Sequence, residues 1–222
     1  MALFSRKKQS KAESAQTNEV QLDAPFAATN GADSADASAP VAEKFSRADG
    51  PFDAAELAGP GNRLEAGSLW LPVTPDTRLQ FSTDERQETI LGVVYLMEDS
   101  ALQLQAFAAP KSRGIWDQVR LDMRTSIAQQ GGSSQEVDGP FGKELMAMMP
   151  LAESQNFAPH RFLGIDGPRW LLRATLYGRA GADPQAAAPL IAILQNIAVN
   201  RGADPLVPRS LLPLQLPQLS QE

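Results

Sequence analysis

Few side chains in this 222-residue sequence are equipped for catalysis, and their spacing decides what they can do. The stretch HRFLGIDGPRWLLRATLYG, His160 to Gly178, holds the one histidine together with Asp166, Arg169, Trp170 and Arg173. A histidine with a carboxylate partner is the commonest acid–base pairing, so His160 with Asp166 is the first combination to weigh. Asp-Gly between two apolar runs is, however, a strong hairpin signal, because both central residues of a type I′ turn need positive φ. A turn at Asp166 and Gly167 puts His160 opposite a residue near Arg173, and a strand rise of about 3.3 Å per residue sets it roughly 20 Å from the turn. The two side chains do not meet, and His160 reads as a surface residue at a strand start.

The remaining knot, Asp166-Gly167-Pro168-Arg169-Trp170, has a structural and a functional reading. Structurally it is a hairpin turn, with Pro168 opening the returning strand where its missing N–H need not pair. Functionally, Asp166 and Arg169 form a charged pair at a loop tip and Trp170 offers an anchoring surface, since Trp and Arg are enriched at binding hot spots. Arg173 shares a semi-polar face with Leu171, Thr175 and Tyr177, a face that is solvated, covered by a helix or used for binding. The structural reading leads. If a surface is used for binding, these residues (Asp166, Arg169, Trp170 and Arg173) are the ones expected to carry it.

Other chemistries find little support. There is no cysteine, which removes thiol catalysis, disulfides and Cys-ligated metal sites, and one histidine leaves no His-rich site either. No Gly-x-Ser-x-Gly elbow exists, and Gly131-Gly132-Ser133-Ser134 follows a helix instead of joining a strand to one. Gly59-Pro60-Gly61 lacks the spacing and lysine of a phosphate loop. The acid pairs Asp84-Glu85 and Glu98-Asp99 fall in expected turns. Met146, Met148 and Met149 read as core filling before an adaptable binding face. No catalytic residues, metal ligands or cofactor-binding residues are assigned. The net charge of -6 repels a phosphate backbone, so nucleic-acid binding is disfavoured. It would need a basic face built from Arg161, Arg169, Arg173 and Arg179.

The elements that hold these residues follow from pattern. Residues 1–50 are rich in Ala, Ser, Asp and Glu without apolar period and are expected to form a disordered tail. Its one feature is the cluster Arg6, Lys7, Lys8 and Lys11 behind Leu3 and Phe4, expected to be a solubilising terminus and too small for stable membrane anchoring; the alternatives are a weak contact with anionic lipid and an acidic partner. The start lacks the apolar stretch of a secretory signal and no run reaches the roughly 18 apolar residues of a membrane span, which gives a cytoplasmic expectation. Residues 51–204 are expected to form one α+β domain. Strands are expected at Ser68 to Leu71, Arg78 to Ser82, Thr89 to Met97, Leu102 to Ala106, Gln135 to Val137, Lys143 to Met149, Arg161 to Ile165 and Trp170 to Tyr177.

Two helices accompany them. Ile115, Trp116, Val119, Met123 and Ile127 recur at helical spacing and Gly131-Gly132 stops the first, whose solvent face carries Asp117, Arg120, Asp122 and Arg124. Asp183 before Pro184 starts the second, which Pro189 should break so that the main helix runs from Ala188 with Leu190, Ile191, Leu194, Ile197 and Ala198 buried. Short turns force antiparallel pairing. The fold class is therefore an antiparallel sheet with two helices packed on it. Residues 205–222, with Pro205, Pro208, Pro213 and Pro217, form an extended strap that either docks a partner or folds back on the sheet.

Several phrases together resemble a known family: GPFD at Gly50, GSLWLP at Gly67, SALQLQAFAAPKSRGIWDQVR at Ser100, GPFGKEL at Gly139, RFLGIDGPRWLLRA at Arg161 and LPLQLP at Leu212. They are similar to the actinobacterial domain of unknown function 3710, over the whole folded part. The resemblance implies a high-GC Gram-positive, cytoplasmic origin and carries over no catalytic residue. The element order also resembles a Mog1/PsbP type of sandwich, in topology alone. The resulting expectation is a non-enzymatic binding module with a protein partner. The alternatives are a small hydrolase or phospho-ligand enzyme around Asp166 and Arg169, and a nucleic-acid-associated protein using the last hairpin.

Overall fold

A computed structural model describes residues 47–151 and 156–217. The expected tail before residue 47, its basic cluster and the last five residues of the strap lie outside the described residues. Chain order runs β1 (Phe52–Asp53), β2 (Arg63–Glu65), β3 (Leu69–Pro72), β4 (Arg78–Thr83), β5 (Ile90–Met97), β6 (Ser100–Ala108) and α1 (Trp116–Gln129). It continues with β7 (Ser133–Gly139), β8 (Gly142–Pro150), β9 (Phe157–Gly167), β10 (Trp170–Gly178), α2 (Pro184–Gln195) and β11 (Ala198–Val199).

Seven strands pair in the order β4-β5-β6-β10-β9-β8-β7, every neighbour antiparallel. The period of two that sorts side chains onto opposite faces gives this sheet two cores. Leu102 and Leu104 of β6, Leu163 and Ile165 of β9, and Leu172 and Leu176 of β10 point to one face. There they pack with Leu190 and Leu194 of α2 and with Leu69, Leu71 and Val199. Leu145, Phe162 and Leu171 point to the other face, under Trp116, Met123 and Ile127 of α1. Each fully buried leucine contributes about 1.5–3 kcal/mol, so both layers are needed.

The expectation of one sheet is corrected by a second one. β3, drawn from the turn-rich opening, pairs with β2 and β11 in a four-stranded sheet of order β1-β11-β3-β2, in which β1 and β11 are parallel. The second helix differs too. It runs unbroken from Pro184 to Gln195 with Pro189 inside it, and Ile197 and Ala198 leave the helix, Ala198 to form β11. Pro189 lies on the exposed side, one turn from the start, where the Gln185 carbonyl that loses its partner can be hydrated. Asp183 caps this helix as expected, accepting from the Gln185 N–H at 2.9 Å.

On α1, Arg120 is not solvent-facing. It is buried, 2.9 Å from Asp117 and 3.1 Å from Glu136 of β7, and so ties the helix to the sheet edge. A second internal ion pair joins β8 and β9. Glu144, 1% exposed, accepts from Arg161 Nε at 2.6 Å and from Nη2 at 3.2 Å.

The strap folds back. The last β5–β6 pair is Val93 with Leu104, and beyond it β6 pairs instead with the strap. The Arg209 N–H donates to the Ala108 carbonyl, the Ala108 N–H to Ser210 and the Leu212 N–H to Ala106, at 2.7–2.8 Å. The strap continues onto the small sheet, where the Ser68 N–H donates to Pro213 at 3.1 Å and the Gln215 N–H to Ala66 at 3.2 Å. Arg209 also reaches Asp122 of α1 at 2.9 Å. One proline-rich segment thus fastens both sheets and the first helix.

Candidate functional site

The hairpin of β9 and β10 does not turn where Asp-Gly suggests. Gly167 pairs with Trp170 and Asp166 with Leu171, so Pro168 and Arg169 form the turn. Proline fixes the first φ and Arg169 has φ 64°, the combination of a type II turn, in which the second central residue is ordinarily Gly or Asn. A left-handed arginine is strained, and such strain concentrates where a side chain has a job. The same register sets His160 against Tyr177 instead of Arg173, with its ring edge-on at 4.7 Å and Nδ1 3.1 Å from the Ala158 carbonyl.

Asp166 is not half of a loop-tip pair with Arg169. Its carboxylate receives the N–H of Ile115 at 2.8 Å and that of Trp116 at 3.2 Å, capping α1, whose own N-cap residue Ile115 has no side-chain oxygen to offer. Two glycines make this dock possible. A Cβ on Gly114 would overlap the Asp166 carboxylate, and one on Gly164 would overlap the Trp116 indole. GIWD and GID are therefore complementary halves of one joint, sealed by Trp116 Nε1 donating to the Lys143 carbonyl at 2.6 Å. Asp166 keeps a solvent-facing side, yet the protein crowded around its carboxyl raises its pKa, against the lowering pull of the two backbone N–H groups.

Trp170 is fully buried, which corrects its expected place as a surface anchor. Its Nε1 donates to Asp53 Oδ2 at 2.7 Å, and the Arg47 guanidinium lies 5.4 Å above its ring. Arg47 also pairs with Glu56 at 2.8 Å, so the folded part reaches back past Pro51. Arg173 is half-buried, donates to Gln105 and sits 5.3 Å over the Phe107 ring. Arg161 and Arg173 lie on opposite faces of the sheet, Arg161 is held by Glu144 and Arg179 by Asp183 at 2.9 Å. The four arginines do not make one basic face.

Arg169 remains, and it joins residues that sequence reasoning did not single out. It borders a cleft of about 470 Å³ between the hairpin turn and the small sheet, with Asp53, Trp70, Asn200 and Arg201 around it. Arg201 donates from Nε to the Arg169 carbonyl at 3.3 Å and from Nη1 to the Asp204 carbonyl at 2.9 Å. Burial, and then the charge of Arg169, push the Arg201 pKa down. Asp53 makes no salt bridge with either of them; its oxygens accept from the Ala55 N–H at 2.8 Å and from Trp170. Among the described residues no hydrogen bond or ion pair reaches the Arg169 guanidinium. Trp70 adds an indole whose buried Nε1 also has no partner there. Among the described residues no cluster of three or more His, Cys, Asp or Glu could hold a metal ion, and no helix is long and apolar enough to cross a membrane.

The family model described as "Protein of unknown function (DUF3710)" matches residues 50–222. The chain belongs to this family. The DUF3710 match takes in both sheets, both helices and the strap. No curated protein matches. Among solved structures, the solution structure of cyanobacterial PsbP (CyanoP) from Synechocystis sp. PCC 6803 is similar at 10% identity and a TM-score of 0.36, over 60% of this chain and 86% of that one.

Proposed function

We propose that this DUF3710 member is a non-catalytic binding module of the actinobacterial cytoplasm that engages a protein partner through the Pro168–Arg169 turn and the cleft beside it. One observation carries the reading: a charged residue is held in a left-handed conformation, with its guanidinium unpaired, at the mouth of a cleft. A non-glycine residue in this region of φ is strained, and a binding role accounts for that strain. The finer comparison with a Mog1/PsbP-type sandwich belongs to the same proposal and is supported by the order of strands and helices. The hydrolase alternative loses its proposed pair, since Asp166 serves the start of α1 while Arg169 lines the cleft.

The test is affinity capture from native-type lysate with wild type and Arg169→Gly. Glycine suits the positive φ, so the fold is retained. A protein held by wild type and lost from the variant supports the reading. Identical captured sets from two equally stable proteins overturn it.

A further inference from the structure

We infer that the cleft takes a phosphate monoester, gripped between the guanidinium groups of Arg169 and Arg201; the inference rests on the reading of this cleft as the ligand site. Both arginines border the same space, and among the described residues neither makes a salt bridge; the Asp204 carboxylate acts on Arg201 only through longer-range attraction. Arg201 spends Nε and one Nη on neutral carbonyl oxygens, which leaves its charge and its other terminal nitrogen available. Arg169 offers its full fork of donors.

The charge count selects the ligand class. The cleft lining itself carries two arginines against one carboxylate, Asp53, whose oxygens already accept hydrogen bonds inside the protein, while Asp204, outside the lining, offsets part of the charge of Arg201. A carboxylate has one charge and two oxygens, enough for a single bidentate fork. A phosphate monoester carries about −1.5 to −2 at pH 7 and presents three acceptor oxygens, enough for two. Arginine, planar and always charged, is the residue that suits such an oxyanion.

Size and lining say what carries the phosphate. A cleft of about 470 Å³ exceeds the needs of a bare phosphate and falls in the range of small-molecule sites. Ala54, Ala55, Pro168 and the Trp70 indole supply apolar walls, suited to an organic substituent. The shared chemistry is a phosphate on an apolar stem. A phosphorylated side chain of a partner and a free metabolite are the two sources of it.

Calorimetric titration of the full chain at low ionic strength, with phenyl phosphate, benzoate and a phosphoserine peptide as probes, tests this. Phenyl phosphate is expected to bind about tenfold or more tightly than benzoate, and to lose about tenfold or more in Arg169→Gln and in Arg201→Gln. Melting curves establish that both variants are folded. A tighter phosphopeptide assigns the group to a partner, and a tighter phenyl phosphate to a metabolite; either supports the inference. Equal binding of benzoate, unchanged affinity in folded variants, or no phosphate binding by wild type overturns it. If capture of a partner still depends on Arg169 while no phosphate binds, the phosphate class fails and the binding module stands. If phosphate binds and capture is indifferent to Arg169, the reverse holds.

Discussion

The carboxylate of Asp166 lies 2.8 Å from the N–H of Ile115, a residue 51 positions earlier, and so a hairpin caps a helix to which it is not adjacent in sequence. The helix entrance and the hairpin turn are consequently one mechanical unit. Removing the oxygen should release both. Asp166→Ala is expected to cost about 1 kcal/mol, a fall of roughly 2–4 °C in Tm measured by calorimetry.

The same contact has a pH signature. Folding raises the Asp166 pKa above its ordinary 3.8, so the folded chain keeps this proton while the unfolded chain releases it. Its contribution to stability is therefore fullest below that value and declines as pH rises through the folded value. Against the non-titrating Asp166→Asn, the stability advantage of wild type should shrink as pH rises above the ordinary 3.8. An advantage that grows with pH would show that the helix N-terminus outweighs burial.

Gly164 leaves room for the Trp116 indole. Gly164→Ala should push the ring out of its seat, at a cost of about 1–3 kcal/mol. Near-ultraviolet circular dichroism should lose part of its tryptophan signal. An unchanged spectrum and an unchanged melting temperature would contradict this packing.

Glu144 and Arg161 form the ion pair buried between β8 and β9. Glu144→Ala strands the guanidinium and should destabilise the fold by about 3–5 kcal/mol in urea titration. The double change Glu144→Leu, Arg161→Met should recover most of that loss, because the penalty comes from an unpaired charge. A double variant as unstable as the single one would mean that the pair itself holds the strands in place.

Leu212, 1% exposed, is where the strap enters the core. Leu212→Ala should cost about 2–5 kcal/mol by the same titration. A surface-like loss of a few tenths would mean that the strap rests on the domain without supporting it.

Sequence pattern captured the large sheet because each of its hairpins carries alternation long enough to read, as in Leu102, Leu104 and Ala106. It captured α1 from the spacing of Trp116, Met123 and Ile127. It missed the small sheet because β1 and β11 have two residues each, too few to show a period. Asp-Gly pointed to the wrong turn residues because Pro168 pre-sets the turn two residues later and Asp166 is drawn to the N-terminus of α1. Arg169 was legible as a candidate from its place in the hairpin. Its companions were not: Arg201 lies 32 residues from Arg169, and Asp53 lies 117 residues from Trp170, the turn neighbour it accepts from, so no local motif joins them. Asp166 and Trp170, the other prominent residues of the knot, are occupied in holding the scaffold.

The strap pairs with Ala66, Ser68 and the end of β6, all of them translated well before it. On the ribosome these strands emerge first and wait with unsatisfied backbone groups until Arg209 to Gln215 leave the exit tunnel. During that interval the nascent chain presents an open strand edge, the feature that chaperones shield and that neighbouring nascent chains invade. Whatever delays the docking of the strap thus prolongs the exposure of that edge to wrong partners.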